Sequence, residues 1–273
     1  MASAGYGRRV DVEPAVAVAK AIASAADAIV LNASNKVILR LLPNDVVARV
    51  ALADEHGFEQ ELELGRHLAE GGYPAVAPAD PKVYEQDGIS VSFWRYYEPQ
   101  APIPPAEFAA ALQRLHEGMR EVDVPTPHFM DRVVEATYVL ANPALSPEAT
   151  EADRDLVVTT LTRASRAVLD AGAPEQLLHG EPHPGNLLST TDGPLFIDWE
   201  TVCRGPVEFD IAHAPEEIAA HYPGIDPELV RQCRLLMLAI VIAWRWELGD
   251  QLPNGNAQRA EFTAKLRAEL SGN

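Results

Sequence analysis

The chain has 273 residues, 47% of them apolar, and a formal net charge of −18. That length makes either one large domain or two coupled lobes, and the negative balance argues against nucleic acid and anionic membrane as partners, since both would be repelled. Cys203 and Cys233 are the only cysteines, too few for a disulfide framework and in keeping with a reducing cytoplasm.

Arg8 and Arg9 precede an Ala/Val-rich run, but Asp11, Glu13, Lys20 and Asp27 interrupt it, so no secretory signal core is expected. Residues 12–28 read instead as a helix, with Pro14 near its start and Val16, Ala19, Ile22, Ala23 and Ala26 on one face. Three short β-rich runs follow, AIVL, KVILRL and VVARV, separated by the turn segments NASN (32–35) and LPND (42–45). Turn residues between β-branched runs predict three successive antiparallel strands. The segment 55–72 carries an apolar stripe of Phe58, Leu62, Leu64 and Leu68 and ends at Gly71-Gly72, the pattern of a helix and its stop. VYEQDGISVSFW (83–94) reads as a hairpin around Asp87-Gly88. Residues 28–94 therefore predict a five-stranded sheet with one helix inserted after the third strand.

Beyond the proline cluster at 99–105, a natural hinge, the pattern turns helical, with helices expected near 105–118, 147–171 and 227–249. A small hairpin at 186–198, around Thr191-Asp192-Gly193, interrupts them. The strongest apolar block, Leu235 to Trp244, has about half the length that a membrane span needs. A cytoplasmic protein that binds no membrane is expected.

Immediately before the hairpin stands LLHGEPHPGNLL (177–188). A residue before proline is pushed out of the helical region, so Glu181 and His183 should be extended. Pro182 and Pro184 stiffen the loop, and Gly185 permits a tight turn into Asn186. The two histidines, His179 and His183, do not read as a zinc pair, because the prolines forbid the helix that such spacing requires. What remains is a rigid loop that presents Glu181 and Asn186, with the hairpin returning Asp198 alongside. An amide oxygen and a carboxylate are hard ligands suited to magnesium. A second carboxylate can accept a proton from an incoming hydroxyl. Phosphoryl transfer needs this division of labour.

These motifs resemble the aminoglycoside phosphotransferase/choline kinase-type family, within the protein-kinase-like fold. The family carries H-G-D-x-x-x-x-N followed by D-F/W-E; this chain has H-G-E-x-x-x-x-N (179–186) and D-W-E (198–200), then G-P-V-E-F-D ending at Asp210. VVAR (46–49) stands where kinases carry V-A-I-K. The resemblance implies an α+β, two-lobe protein-kinase-like fold: a five-stranded antiparallel N-lobe over residues 1–97 and a mainly helical C-lobe over 98–273. It further implies an ATP- or GTP-dependent, Mg2+-assisted phosphotransferase. Glu181 would be the catalytic base, and Asn186 and Asp198 the metal ligands. Arg49 would hold the nucleotide phosphates and Glu61 would orient it. The backbone of Ser34 and Asn35 would approach the phosphates, and the backbone of Phe93, Trp94, Arg95, Tyr96 and Tyr97 the base. His179 and Asp210 would brace the catalytic loop.

Two residues depart from the family's pattern. Glu181 replaces the usual aspartate, which moves the carboxylate by about an ångström and can cost on the order of a hundredfold in rate. Arg49 replaces lysine, keeping the charge but presenting a planar fork. A nucleotide-binding pseudokinase acting through partners is the alternative that these departures open.

Residues 1–98 hold 9 lysines and arginines against 14 acidic residues, a net of −5, whereas residues 99–273 hold 13 against 26, a net of −13. The helical half, where this family binds its acceptor, should therefore draw a small amine-bearing molecule such as an amino sugar or amino alcohol. Glu200, Glu208 and Trp244 are candidates to line that site. A monomer or weak dimer is expected.

Overall fold

The structure is a computed structural model that describes residues 10–34, 36–53, 57–250, 252 and 254–272. The N-lobe opens with α1 (Val12–Ala23), followed by β1 (Asp27–Ala33), β2 (Val37–Leu42), β3 (Val46–Leu52), α2 (Phe58–Glu70), β4 (Tyr84–Gln86) and β5 (Ile89–Arg95). The five strands form one antiparallel sheet in the order β1-β2-β3-β5-β4. The first helix stops earlier than the 12–28 pattern predicts. Ser24 takes a left-handed conformation (φ 51°), and the Ala26 N–H donates to Leu42 O at 2.9 Å, which commits Asp27 and Ala28 to the sheet. The buried face of α1 centres on Ala15, Val18 and Ala19, with Val16, Ile22 and Ala23 at its margins. Asp87 and Gly88 both adopt positive φ between β4 and β5, as a two-residue hairpin turn requires.

The sheet has two faces with different tasks. Val37, Leu39, Leu41, Ala48, Val50, Val91 and Phe93 pack against α1 as the lobe's own core. Side chains alternate along a strand, so Lys36, Ile38 and Arg49 project from the opposite face, toward α2 and the C-lobe. Ile38 is the direct cross-strand partner of Arg49.

After Arg95 the chain runs without regular structure through residues 96–104, where the two-lobe division was expected. The C-lobe then comprises α3 (Pro105–Met119), α4 (Phe129–Ala141), α5 (Glu151–Asp170), β6 (Glu175–Leu178), β7 (Leu187–Thr190), β8 (Gly193–Phe196), β9 (Cys203–Pro206), α6 (Val207–His213), α7 (Glu216–Ala219), α8 (Pro227–Trp244) and α9 (Gly255–Ser271). α5 starts at Glu151 rather than near 147, because the Thr150 hydroxyl caps it by accepting the Asp153 N–H at 3.2 Å. α8 ends at Trp244, short of the 249 expected from the apolar pattern.

The C-lobe core gathers Phe129, Leu140, Leu161, Phe209, Leu236 and Ile240 around α8. A second cluster joins the lobes: Leu62, Leu64 and Leu68 of α2 meet Trp94, Phe108, Leu112, Phe196 and Trp199. Gly65 permits this contact, since a Cβ there would lie 2.7 Å from the Trp94 ring. The join is also hydrogen-bonded, with Val76 N–H donating to Phe196 O at 3.0 Å and Phe196 N–H to Pro74 O at 2.9 Å. Among the described residues, no helix is long and apolar enough to cross a membrane.

Leu236 is fully buried at the centre of α8, whereas Tyr138 on α4 is 62% exposed. Leu236→Ala should lower unfolding stability by about 2–5 kcal/mol, and Tyr138→Ser by no more than about 0.5 kcal/mol. Urea unfolding followed by far-ultraviolet dichroism measures both.

Candidate active site

β6 delivers the chain into the H-G-E-P-H-P-G-N loop, and β9, paired with β6, carries it away after D-W-E. Four residues beyond β9, Asp210 is wholly buried in α6. Its Oδ2 accepts the His179 N–H at 2.9 Å and its Oδ1 accepts the Gly180 N–H at 2.8 Å. Oδ2 also accepts from His116 Nε2 at 2.9 Å, and His116 Nδ1 lies 2.7 Å from the Tyr222 hydroxyl. Burial pushes the Asp210 carboxyl up, but the His116 hydrogen bond and charge, with His179 and the Gly180 N–H, outweigh it and hold the carboxyl below its usual range. Gly180 sits at φ 91°, a conformation open to glycine but strained for other residues. Arg132 of α4 secures the same point, donating to Gly180 O at 3.2 Å and to Thr201 O.

His179 is fully buried, and burial holds it neutral by pulling its pKa down. Its Nε2–H donates to Ile197 O at 2.9 Å, while Nδ1 accepts the Glu181 N–H at 3.4 Å. One imidazole thereby ties the 179–186 loop to the strand end that leads into Asp198. His183 caps the 3-10 turn at Pro184–Asn186, its Nδ1 accepting the Gly185 N–H at 3.0 Å.

The Asn186 amide donates from Nδ2 to Glu181 O at 3.1 Å. Its Oδ1 then points the opposite way, as an oxygen donor. Ile197 N–H donates to Asn186 O at 3.1 Å, which sets Asp198 beside Asn186. Asp198 itself holds φ 71°, an uncommon backbone state for a residue with a side chain. The Glu181 carboxylate makes no hydrogen bond or ion pair to any described residue. Burial pushes its pKa up to about 6; Arg132 opposes the shift, Glu200 and Asp198 add to it, and Arg245 opposes it.

An ion network spans the lobes above this loop. Arg49 donates from Nη1 to Glu61 Oε2 at 2.5 Å and from Nη2 to Asp198 Oδ1 at 2.8 Å. Lys36 Nζ lies 3.3 Å from Glu61 Oε1 and also donates to Glu200 Oε2. Glu200 Oε2 is 3.8 Å from Arg49 Nη2. Burial pushes the Asp198 carboxyl up, but Arg49 and Lys36 outweigh it and keep the group ionised.

The remaining expected residues are spread more widely. Ser34 lies in the β1–β2 turn, where its hydroxyl accepts from Asn32 Nδ2 at 3.3 Å; Asn35 falls outside the described residues. The Phe93 ring faces α1, and the Trp94 indole packs between the lobes with Nε1 donating to Ser92 Oγ at 3.0 Å. Phe93 O and Arg95 N are already engaged by Ala79 and Ala77. Tyr96 lies beneath the Arg40 guanidinium, 3.7 Å from ring centre. Glu208 is buried and accepts the Asp226 N–H at 3.3 Å ahead of α8, and Trp244 packs against the C-lobe core. Neither is brought to the Glu181 loop by a hydrogen bond or ion pair.

Sequence reasoning missed Lys36, His116 and Arg132. Lys36 had a legible signal, the strand parity that it shares with Ile38 opposite Arg49. His116 and Arg132 are single polar residues in ordinary helical patterns, brought to the loop only by tertiary packing.

Residues 27–233 match the profile of the phosphotransferase enzyme family, and the chain belongs to that family. No curated protein sequence matches it. Among solved structures, an amicoumacin kinase in complex with AMP-PNP, Ca2+ and Ami is similar at TM-score 0.72 and 12% identity, covering 95% of this chain and 94% of that one. The choline kinase LicA from Streptococcus pneumoniae is similar at TM-score 0.68 and 15% identity, with 94% and 99% covered. An aminoglycoside phosphotransferase in complex with GDP and kanamycin gives TM-score 0.68 and 14% identity, with 96% and 98% covered. At these identities the likeness is one of fold.

The raised Glu181 pKa has a consequence for stability. A carboxyl whose folded pKa exceeds its unfolded value stabilises the fold while protonated and loses that contribution as pH rises through the folded pKa. For Glu181 the window runs from about 4.5 to about 6. Glu181→Gln should therefore gain on the wild type by roughly 2 kcal/mol between pH 4 and pH 8. Thermal melts of the two proteins across that range check the sign and the size.

Proposed function

We propose that this member of the phosphotransferase enzyme family moves the terminal phosphoryl group of ATP or GTP onto a hydroxyl of a small amine-bearing acceptor. The observation that carries the reading is the Glu181 carboxylate. It is unengaged among the described residues, tuned to about 6, and set on a braced loop beside Asn186 and Asp198. A group held without partners near neutral pH is poised to take a proton.

In the reaction, the acceptor oxygen bonds to the terminal phosphorus as the bond from that phosphorus to the bridging oxygen breaks. The nucleoside diphosphate leaves with the electron pair, and the hydroxyl proton passes to Glu181. The transition state is loose, so positioning matters more than base strength. Arg49 and Lys36 supply positive charge from the sheet face, and His179, Asp210 and Arg132 keep the loop still. The base of the nucleotide would meet backbone beyond Arg95, at Tyr96 and Tyr97, where the chain has left the strand.

Asn186 Oδ1 and the Asp198 carboxylate are hard oxygen donors that fit magnesium. Asn186 and Asp198 would hold the ion, and phosphate oxygens and water would supply its remaining ligands. When bound, the ion would neutralise charge on the phosphate oxygens. The amicoumacin kinase and aminoglycoside phosphotransferase neighbours are in complex with nucleotides, the former also with Ca2+.

For the acceptor, a cavity of about 450 Å3 lies between the end of α8 and the start of α9. Arg245 lines it, whereas Glu181, Asn186 and Asp198 do not. Glu148, Glu247 and Asp250 face it with Arg245 and Arg259. Arg245 is paired to Asp250 at 3.0 Å, and Arg259 stacks on Trp246 at 3.7 Å. Burial, with Glu135 and Asp250 nearby, pushes the Glu247 carboxyl up, a strain that an incoming ammonium would relieve. This balance favours an amine-bearing acceptor.

The Arg49–Asp198 pair favours one other reading, a protein that binds nucleotide without turnover, because it occupies a proposed metal ligand. Release of ADP in the presence of Mg2+ and pooled amino sugars and amino alcohols separates the two. The phosphotransferase reading predicts acceptor-dependent release that EDTA abolishes. It also predicts that kcat/KM rises with pH through about 6 as Glu181 loses its proton, and that Glu181→Gln lowers kcat by roughly 10²–10⁴. Tight ATP binding with no release for any acceptor would favour the other.

A further inference from the structure

Two cations stand side by side on one face of the N-lobe sheet. Ile38 is the cross-strand partner of Arg49, and Lys36 lies two residues before Ile38, on the same side of β2. Glu61 serves both, Oε2 to Arg49 at 2.5 Å and Oε1 to Lys36 at 3.3 Å. The Lys36 side chain is only 10% exposed. Burying an ammonium next to a guanidinium is costly, since desolvation and like charge act together. Both pull the Lys36 pKa down, and Glu61 and Glu200 outweigh them. Arg49 bridges Glu61 to Asp198, and Lys36 bridges the same Glu61 to Glu200, whose side chain is 36% exposed.

The two cations also differ in freedom. The Arg49 fork is fixed between carboxylates on both lobes, whereas Lys36 is a point charge on a flexible stem. It follows directly on the β1–β2 turn, and Glu200 holds it from the D-W-E segment two residues past Asp198.

Building on the phosphotransferase reading, we propose that Lys36 is a catalytic residue that exchanges Glu200 for the terminal phosphate of the nucleotide. Its ammonium donates hydrogen bonds to the oxygens of the transferring group and gives up no proton. Arg49 remains with the inner phosphates and Glu61.

The test compares triphosphate with diphosphate. Binding of AMP-PNP and of ADP, each with Mg2+, is measured by calorimetry for wild type and Lys36→Met. The expected result is loss of AMP-PNP affinity by about tenfold or more, equivalent to 1.4 kcal/mol, with ADP affinity changed less than about twofold. Equal weakening of both nucleotides, or of neither, would overturn the proposal. If the wild type binds no nucleotide, the phosphotransferase reading itself fails, which is a separate result. A second measurement does not depend on how well one variant folds. In a double-mutant cycle of Lys36→Met and Glu200→Gln, melting should show coupling without nucleotide and none at saturating AMP-PNP. Coupling that persists with AMP-PNP bound would mean that Lys36 never leaves Glu200.

Discussion

The Asp210 carboxylate accepts the N–H groups of both His179 and Gly180, and takes a further hydrogen bond from His116, without contact with solvent. A buried charge of this kind is tolerable only when its lone pairs are met. The cost of leaving it unmet is what fixes the loop. With two consecutive N–H groups held to one side chain, Gly180 is forced into its left-handed turn and Glu181 emerges in a single direction. Asn186 then orients its amide on Glu181 O, and His179 fastens the whole to Ile197. Each candidate on this loop thus inherits its position from one buried carboxylate.

The sheet solves a different problem, how to carry charge without sacrificing a core. Its odd-numbered β2 residues, Val37, Leu39 and Leu41, are buried against α1, and the alternate face is left for Lys36 and Arg49. A shift of register by one residue would bury both cations and expose the core. The hydrophobic pattern therefore specifies the electrostatics. α2 completes the arrangement, with Leu62, Leu64 and Leu68 in the interlobe cluster and Glu61 between the two cations.

Much of this was legible in the sequence because it rests on local rules. The five strands and α2 follow from alternation, turn residues and a 3.6-residue stripe, and the hairpin after Asn186 follows from Asp192-Gly193. The H-G-E-x-x-x-x-N and D-W-E segments announced a loop held for a purpose. The misses have physical causes. α9 buries only Gly255 and Leu266 among its described residues, so no apolar stripe marks it. α4 starts at His128, an unusual cap whose reciprocal partner is Asp131. β6 and β9 are four residues each and owe their strand form to one another. Glu208 was a candidate to line the acceptor site, yet it is buried and accepts the Asp226 N–H ahead of α8. The partners of the 179–186 loop, His116 and Arg132, are 94 and 48 residues away from the groups they hold, beyond the reach of any local pattern.

The central claim is that Asn186, Asp198 and Glu181 meet a metal-bound triphosphate and its acceptor at one point between the lobes. A crystal structure with AMP-PNP and Mg2+ tests it most directly. The account predicts the ion at about 2.0–2.1 Å from Asn186 Oδ1 and from an Asp198 oxygen, with Glu181 facing the terminal phosphate across a gap that admits a hydroxyl. A triphosphate whose metal is held by other side chains, or a Glu181 carboxylate turned away from the terminal phosphorus, would contradict it.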